Sequence, residues 1–371
     1  MHRLPNMRKL IIFYVLCLLF IFPHQTKSEE NLSRGLFVMA AEGPQVLSSR
    51  QEIERLIDLA EKTRIKVLFI QIYQGNKAWF PSKIADSAPY EACLKSVLED
   101  PLNLLIKQAH HCGIEVHAWV NILSLGNNKD AKLLKKYGAD ILTCNLKDKN
   151  SLEDYKIDNQ YFLEPGDPRV RQELTGIVEE IIRAYPDLDG IQFDYLRYPD
   201  KNPAYGYTKI NTERFREATG IYAIEEESHA WKEWKRSQVT EILKQLVKKT
   251  RQLRKDIQIS ATGCMPYQRA YYEAFQDWPS WLNSQLIDFV TVMDYSPDYQ
   301  EFSRWISAIK SKVRDFRKVN IGIGAYKLGH SPKEFEQELG FCEKSGGGSC
   351  VIFHYGSLLD NPSIANLLSN K

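Results

Sequence analysis

The run Asp189-Gly-Ile-Gln-Phe-Asp-Tyr-Leu-Arg-Tyr-Pro199 brings a carboxylate, an arginine and two tyrosines to the end of one short apolar segment. Side chains alternate along a strand, so Ile191 and Phe193 share one face, and Gln192 and Asp194 share the other. In a parallel barrel the apolar pair meets the covering helices and the polar pair faces the interior. Asp194 therefore points where Gln192 points, just below the mouth where such barrels hold their active sites. An aspartate that caps the next turn or pairs with Arg197 explains the same residues. Arg197, a cation three residues on, would favour the carboxylate form and suit a nucleophile or base. A salt bridge at a barrel rim accounts for it equally well.

Similar chemistry recurs at other predicted strand ends. Phe69, Gln71 and Tyr73 alternate against Ile70 and Ile72, while His117, Trp119 and Asn121 alternate against Val116, Ala118 and Val120. Later segments end in Met293-Asp294-Tyr295-Ser296, Ala325-Tyr326-Lys327 and His354-Tyr355, and the first runs into Glu42. Aromatics stack on the C–H faces of a sugar and fixed polar groups bond its hydroxyls, so such a ring suits a polysaccharide or oligosaccharide. Each aromatic alone fits core packing; their repetition at one end of several strands points to a site.

The elements that must position these residues are short β-rich runs alternating with amphipathic helical stretches, the pattern of a parallel α/β architecture. Eight strands are predicted: Gly35–Ala40, Val67–Tyr73, Ile114–Asn121, Gly190–Asp194, Ile257–Thr262, Phe289–Met293, Val319–Ala325 and Cys350–Tyr355. Val170, Leu174, Ile177, Val178 and Ile181 mark one intervening helix, and Asp100-Pro101 and Asp167-Pro168 read as N-caps followed by first-turn prolines. Eight such units predict a single (β/α)8 TIM barrel over residues 29–371, with long loops after strands 3 and 4. An open doubly wound sheet is the competitor, but no glycine-rich phosphate loop follows the first strand. The long segments Gly126 to Phe162 and Pro199 to Ser228 are placed to cover a cleft.

Residues 1–28 read as an export signal. Arg3, Arg8 and Lys9 precede the apolar run Leu10 to Phe22, and Thr26-Lys-Ser28 offers small residues for cleavage. Export places the protein in the periplasm or outside the cell, without a membrane span in the mature chain. Loss of that segment removes four basic groups and no acidic one, leaving 45 Lys and Arg against 47 Asp and Glu. A near-neutral, slightly acidic chain does not supply the basic field that nucleic acid needs. The scattered cysteines and histidines lack metal-site spacing, so neither metal nor cofactor is expected, and a monomer is. Cys342 and Cys350, flanking a Ser-Gly-Gly-Gly turn, are the first disulfide candidate.

Arg34-Gly-Leu-Phe, Gln71 through Ala78-Trp-Phe-Pro-Ser82, Val116 to Asn121, Leu163-Glu-Pro-Gly-Asp-Pro-Arg-Val-Arg171 and Asp189 to Pro199 together resemble the glycosyl-hydrolase-like ten family. The resemblance implies an exported bacterial (β/α)8 protein of a family that includes members acting on peptidoglycan glycan strands. It also implies that Asp194 is the catalytic carboxylate, with Gln71, Trp119, Asn121, Tyr195 and Arg197 in or beside the substrate cleft. Met293-Asp294-Tyr295 departs from the family pattern and is similar to the ending found in chitinase-type barrels. Alternation turns Tyr295 toward the cleft and Asp294 away, so Asp294 is a second catalytic candidate against the pattern; Glu42 and Asp298 are the others. Tyr73 and Tyr326 join the substrate-binding candidates as strand-end aromatics. The expected activity is hydrolysis of a glycosidic bond by two carboxyl groups. The alternative is a non-catalytic glycan-binding barrel of the cell envelope.

Overall fold

The computed structural model describes residues 33–200 and 204–369. The export signal read over residues 1–28 lies outside the described residues. Eight strands carry the architecture: β1 (Arg34–Val38), β2 (Ile65–Gln74), β3 (Glu115–Asn121), β4 (Gly190–Asp194), β5 (Gln258–Cys264), β6 (Phe289–Asp294), β7 (Val319–Gly324) and β8 (Cys350–Phe353). Each pairs in parallel with the next, and β8 returns to β1, so the sheet closes. The expected strands are all present, displaced at their ends by a few residues.

Helices separate the strands: α1 (Arg50–Lys62), α2 (Pro101–His111), α3 (Pro168–Ala184), α4 (His229–Leu253), α5 (Trp278–Asn283), α6 (Tyr299–Ile309) and α7 (Pro332–Lys344), with α8 (Pro362–Ser369) after β8. Their starts follow from local chemistry. Asp100 accepts the Asn103 N–H at 2.9 Å and Asp167 the Arg169 N–H at 2.8 Å, each with proline at the next position, where no donor is lost. Val170, Leu174, Ile177, Val178 and Ile181 bury the inner face of α3 as their spacing predicts.

The core lies between strands and helices, where Ile191 and Phe193 of β4 pack with the α3 residues. A smaller cluster fills the barrel itself, with Phe37, Phe69, Trp119 and Val351 at its centre. Below Asp194, the Gln192 side-chain oxygen accepts from Thr291 Oγ1 at 3.0 Å and Ser260 Oγ at 3.3 Å, giving this buried amide partners from two other strands. Cys342 and Cys350 form a disulfide that joins the end of α7 to the start of β8. No helix among the described residues is long and apolar enough to cross a membrane.

The two long segments after β3 and β4 have structure of their own. Ser124–Gly126 pairs antiparallel with Tyr161–Phe162, and Tyr207, Phe215 and Trp231 make a separate aromatic cluster. Among the described residues neither segment lines the cavity at the barrel mouth, but each meets a residue that does: Phe162 lies 6.3 Å from the Tyr195 ring, and Asp200 is ion-paired with Arg269.

Candidate active site

Asp194 ends β4 opposite Asn121 of β3, which sets both side chains at the C-terminal mouth of the barrel. Three donors from three places converge on its carboxylate. Trp119 Nε1 donates to Oδ2 at 3.0 Å, Thr262 Oγ1 to Oδ1 at 2.5 Å, and the Tyr195 backbone N–H to Oδ1 at 2.6 Å. An acceptor-only carboxylate satisfies all three. Arg197 Nη1 stands 3.7 Å from Oδ1, and its guanidinium lies 4.3 Å from the centre of the Tyr195 ring. Tyr195 has φ of 54°, the left-handed region that side chains other than glycine seldom occupy. Such outliers concentrate at functional sites, and this one turns the chain immediately after the carboxylate.

Asp194 borders a cavity of about 530 Å³. Gln71, Trp119, Asn121, Tyr195, Arg197, Tyr295 and Tyr326, all expected near a substrate, line it too. Gln71 is fixed from behind, its Oε1 accepting the Ala40 N–H at 3.3 Å. Tyr295 stacks on Phe353 at 5.0 Å and meets Tyr326 edge-on at 6.0 Å, building an aromatic wall on the far side from β3. Burial, reinforced by the nearby Asp194 charge, pushes the Tyr295 hydroxyl well above its ordinary pKa. Tyr326 is 47% exposed and offers its ring at the mouth. Cys264 also lines the cavity, its thiol pushed up to about 11 by burial.

Two expected residues lie elsewhere. Tyr73 is wholly buried outside the barrel and accepts a hydrogen bond from Asn76 Nδ2 at 3.2 Å. Simple alternation fails because Gln71 pairs with Trp119 and Tyr73 with Val120, so β2 carries one extra residue across the bulge. That residue moves Tyr73 to the helix side. Asp294 is wholly buried and absent from the cavity lining, as the alternation against Met293 and Tyr295 indicated. It sits near Glu338 of α7, and burial pushes both carboxyls up to about 8. Asp298, the other distal candidate, caps α6, accepting the Gln300 N–H at 2.8 Å and the Glu301 N–H at 3.2 Å.

Among the described residues, two carboxylates besides Asp194 do line the cavity, Glu42 and Glu301. Glu301 was not among the expected residues because it belongs to a helix rather than a strand end. Its signal was the Asp298 cap followed by Glu301 and Trp305, four residues apart and so on one helix face. Arg269 and Lys327 also line it. Arg269 is ion-paired with Asp200.

The description of the glycosyl hydrolase-like 10 family matches residues 33–338. The Escherichia coli (strain K12) protein named glycosyl hydrolase DigH is 22% identical over 304 residues, covering 75% of this chain and 66% of its own length. Bacillus subtilis (strain 168) glycosyl hydrolase YngK is 21% identical over 332 residues, covering 80% and 61%. The chain thus spans somewhat less than two thirds of these relatives. Among solved structures, the catalytic domain of β-amylase from Paenibacillus polymyxa superposes with a TM-score of 0.57 at 12% identity over 90% of this chain and 94% of that one. The α-L-fucosidase isoenzyme 2 from Paenibacillus thiaminolyticus gives 0.59 at 13% identity over 91% and 48%. At such identities the structures speak for the barrel alone, while the family match covers strands β1 to β7 and both sides of the cavity: the chain belongs to the glycosyl hydrolase-like 10 family.

Proposed function

We propose that the protein is an exported glycoside hydrolase of the cell envelope that cleaves a bacterial polysaccharide, peptidoglycan glycan strands first among them, with Asp194 as a catalytic carboxylate. The observation that carries this reading is the convergence of Trp119, Thr262 and the Tyr195 N–H on one strand-end carboxylate in an aromatic-walled cavity. A carboxylate held by three donors is fixed in direction before substrate arrives, which is what an attacking or proton-accepting group requires. Gln71, Asn121, Tyr195, Arg197, Tyr295 and Tyr326 bind the sugar through hydroxyl hydrogen bonds and ring stacking. The second carboxyl group comes from the same cavity rather than from Asp294. A separation of about 5–5.5 Å between the two would give retention, and about 6.5–9.5 Å inversion.

The test is incubation of the mature protein and its Asp194→Asn variant with peptide-free peptidoglycan strands and a panel of other bacterial polysaccharides, with fragments read by mass spectrometry. Fragments from the wild type and none from the variant, with glycan binding kept in both, is the expected result. Binding without fragments from either form would make the protein a glycan-binding barrel instead.

A further inference from the structure

We infer that Glu301 is the second catalytic carboxylate of the cavity, the proton donor to the glycosidic oxygen opposite Asp194. This rests on the glycosidase reading above. Of the carboxylates considered from the strand ends, Asp294 is buried outside the cavity and Asp298 is committed to capping α6. Glu42 and Glu301 remain. Glu42 stands exposed on the loop after β1, and among the described residues no side-chain hydrogen bond fixes it. Glu301 is held. Ser296 Oγ, also on the cavity wall, donates to its Oε2 at 2.8 Å, and its backbone N–H is anchored by the Asp298 cap. Trp305, one helical turn on, lines the cavity beside it, so this face of α6 looks onto the substrate space. A group that must deliver a proton along one direction needs such support, and a group on a loose loop lacks it.

In the step assigned to it, the Glu301 carboxyl proton passes to the glycosidic oxygen, which keeps the C1–O electron pair and leaves as a hydroxyl. Asp194 meets the positive charge developing at C1, either by bonding to it or by taking the proton of the water that does. One water is consumed, its oxygen ending on C1, and both carboxyl groups return to their starting states by the end of the cycle.

The experiment compares wild type, Glu301→Gln, Ser296→Ala and Glu42→Gln on the glycan that wild type cleaves and on an aryl glycoside of the same sugar with a good leaving group. Thermal melting of each variant is followed alongside. Expected for Glu301→Gln is a fall in kcat of roughly 10²–10⁴-fold on the glycan and a much smaller fall on the aryl glycoside. A merely structural glutamate would lower both substrates alike. Ser296→Ala, which keeps the carboxyl and removes its 2.8 Å donor, is expected to lose less on the glycan and to keep the same contrast between the two substrates. A wild type that cleaves while Glu301→Gln stays within about threefold, or a leaving-group effect that appears in Glu42→Gln instead, overturns the assignment and leaves the glycosidase reading standing. A wild type that cleaves nothing overturns both.

Discussion

Trp119 Nε1 donates to Asp194 Oδ2 at 3.0 Å across the β3–β4 pair, where Trp119 lies directly opposite Gln192, one pleat below the carboxylate. The indole thus does two things. Its ring joins the aromatic packing inside the barrel, edge-on to Phe37 at 5.0 Å, and its one polar atom orients the candidate catalytic group.

Trp119→Phe separates the two roles. The phenyl ring keeps most of the packing and loses the donor, so kcat should fall roughly tenfold, the equivalent of one hydrogen bond to a charged group at about 1.5 kcal/mol. Steady-state kinetics with a melting curve decides. An unchanged kcat would mean that the indole N–H is incidental to Asp194.

Thr262→Val tests the opposite oxygen. Valine matches threonine in shape and removes the Oγ1 donor that reaches Asp194 Oδ1 at 2.5 Å. Activity should again drop about tenfold with fold retained, and the double variant Trp119→Phe/Thr262→Val should show non-additive loss because both donors serve one carboxylate. Simple multiplication of the two effects would show that they act independently.

Tyr73 and Glu301 mark where sequence reasoning stops. The eight strands, the interior position of Asp194 and the Cys342–Cys350 pairing were legible because alternation, capping and short loop closure are local rules. Most of the cavity lining followed from them. A bulge is not local: the extra residue in β2 is visible only against its β3 partner, so alternation alone puts Tyr73 on the wrong face. Glu301 escaped for the complementary reason, since whether a helix turns a given face toward a barrel mouth depends on how α6 lies on the sheet.

The bulge makes its own prediction. Tyr73→Phe should leave activity unchanged and cost about 1 kcal/mol for the lost bond to Asn76, whereas Tyr73→Ala should cost about 3–5 kcal/mol for the emptied core site. Urea denaturation gives both values. A fall in substrate affinity for Tyr73→Phe, with stability intact, would return this side chain to the binding surface.

Asp294 and Glu338 predict how stability depends on pH. Both are wholly buried behind β6 with Glu301 and Glu334 as further acidic neighbours, and burial raises both carboxyls to about 8. In the unfolded chain they titrate near 4. Between those values the folded state holds protons that the unfolded state has released, so stability is full below about pH 4 from this source and is lost as pH rises toward 8. The loss is on the order of a few kcal/mol for the pair, at 1.36 kcal/mol per unit and discounted because the two sites interact. Urea midpoints measured from pH 5 to pH 8.5 should therefore decline in the wild type. Asp294→Asn/Glu338→Gln should flatten that decline and be the more stable protein at pH 8, since neutral amides cost nothing to keep uncharged. Parallel curves for the two proteins would mean that the carboxyls are already ionised in the fold and find cationic or solvent partners there. The same variant should still cleave, because neither side chain reaches the cavity that holds Asp194.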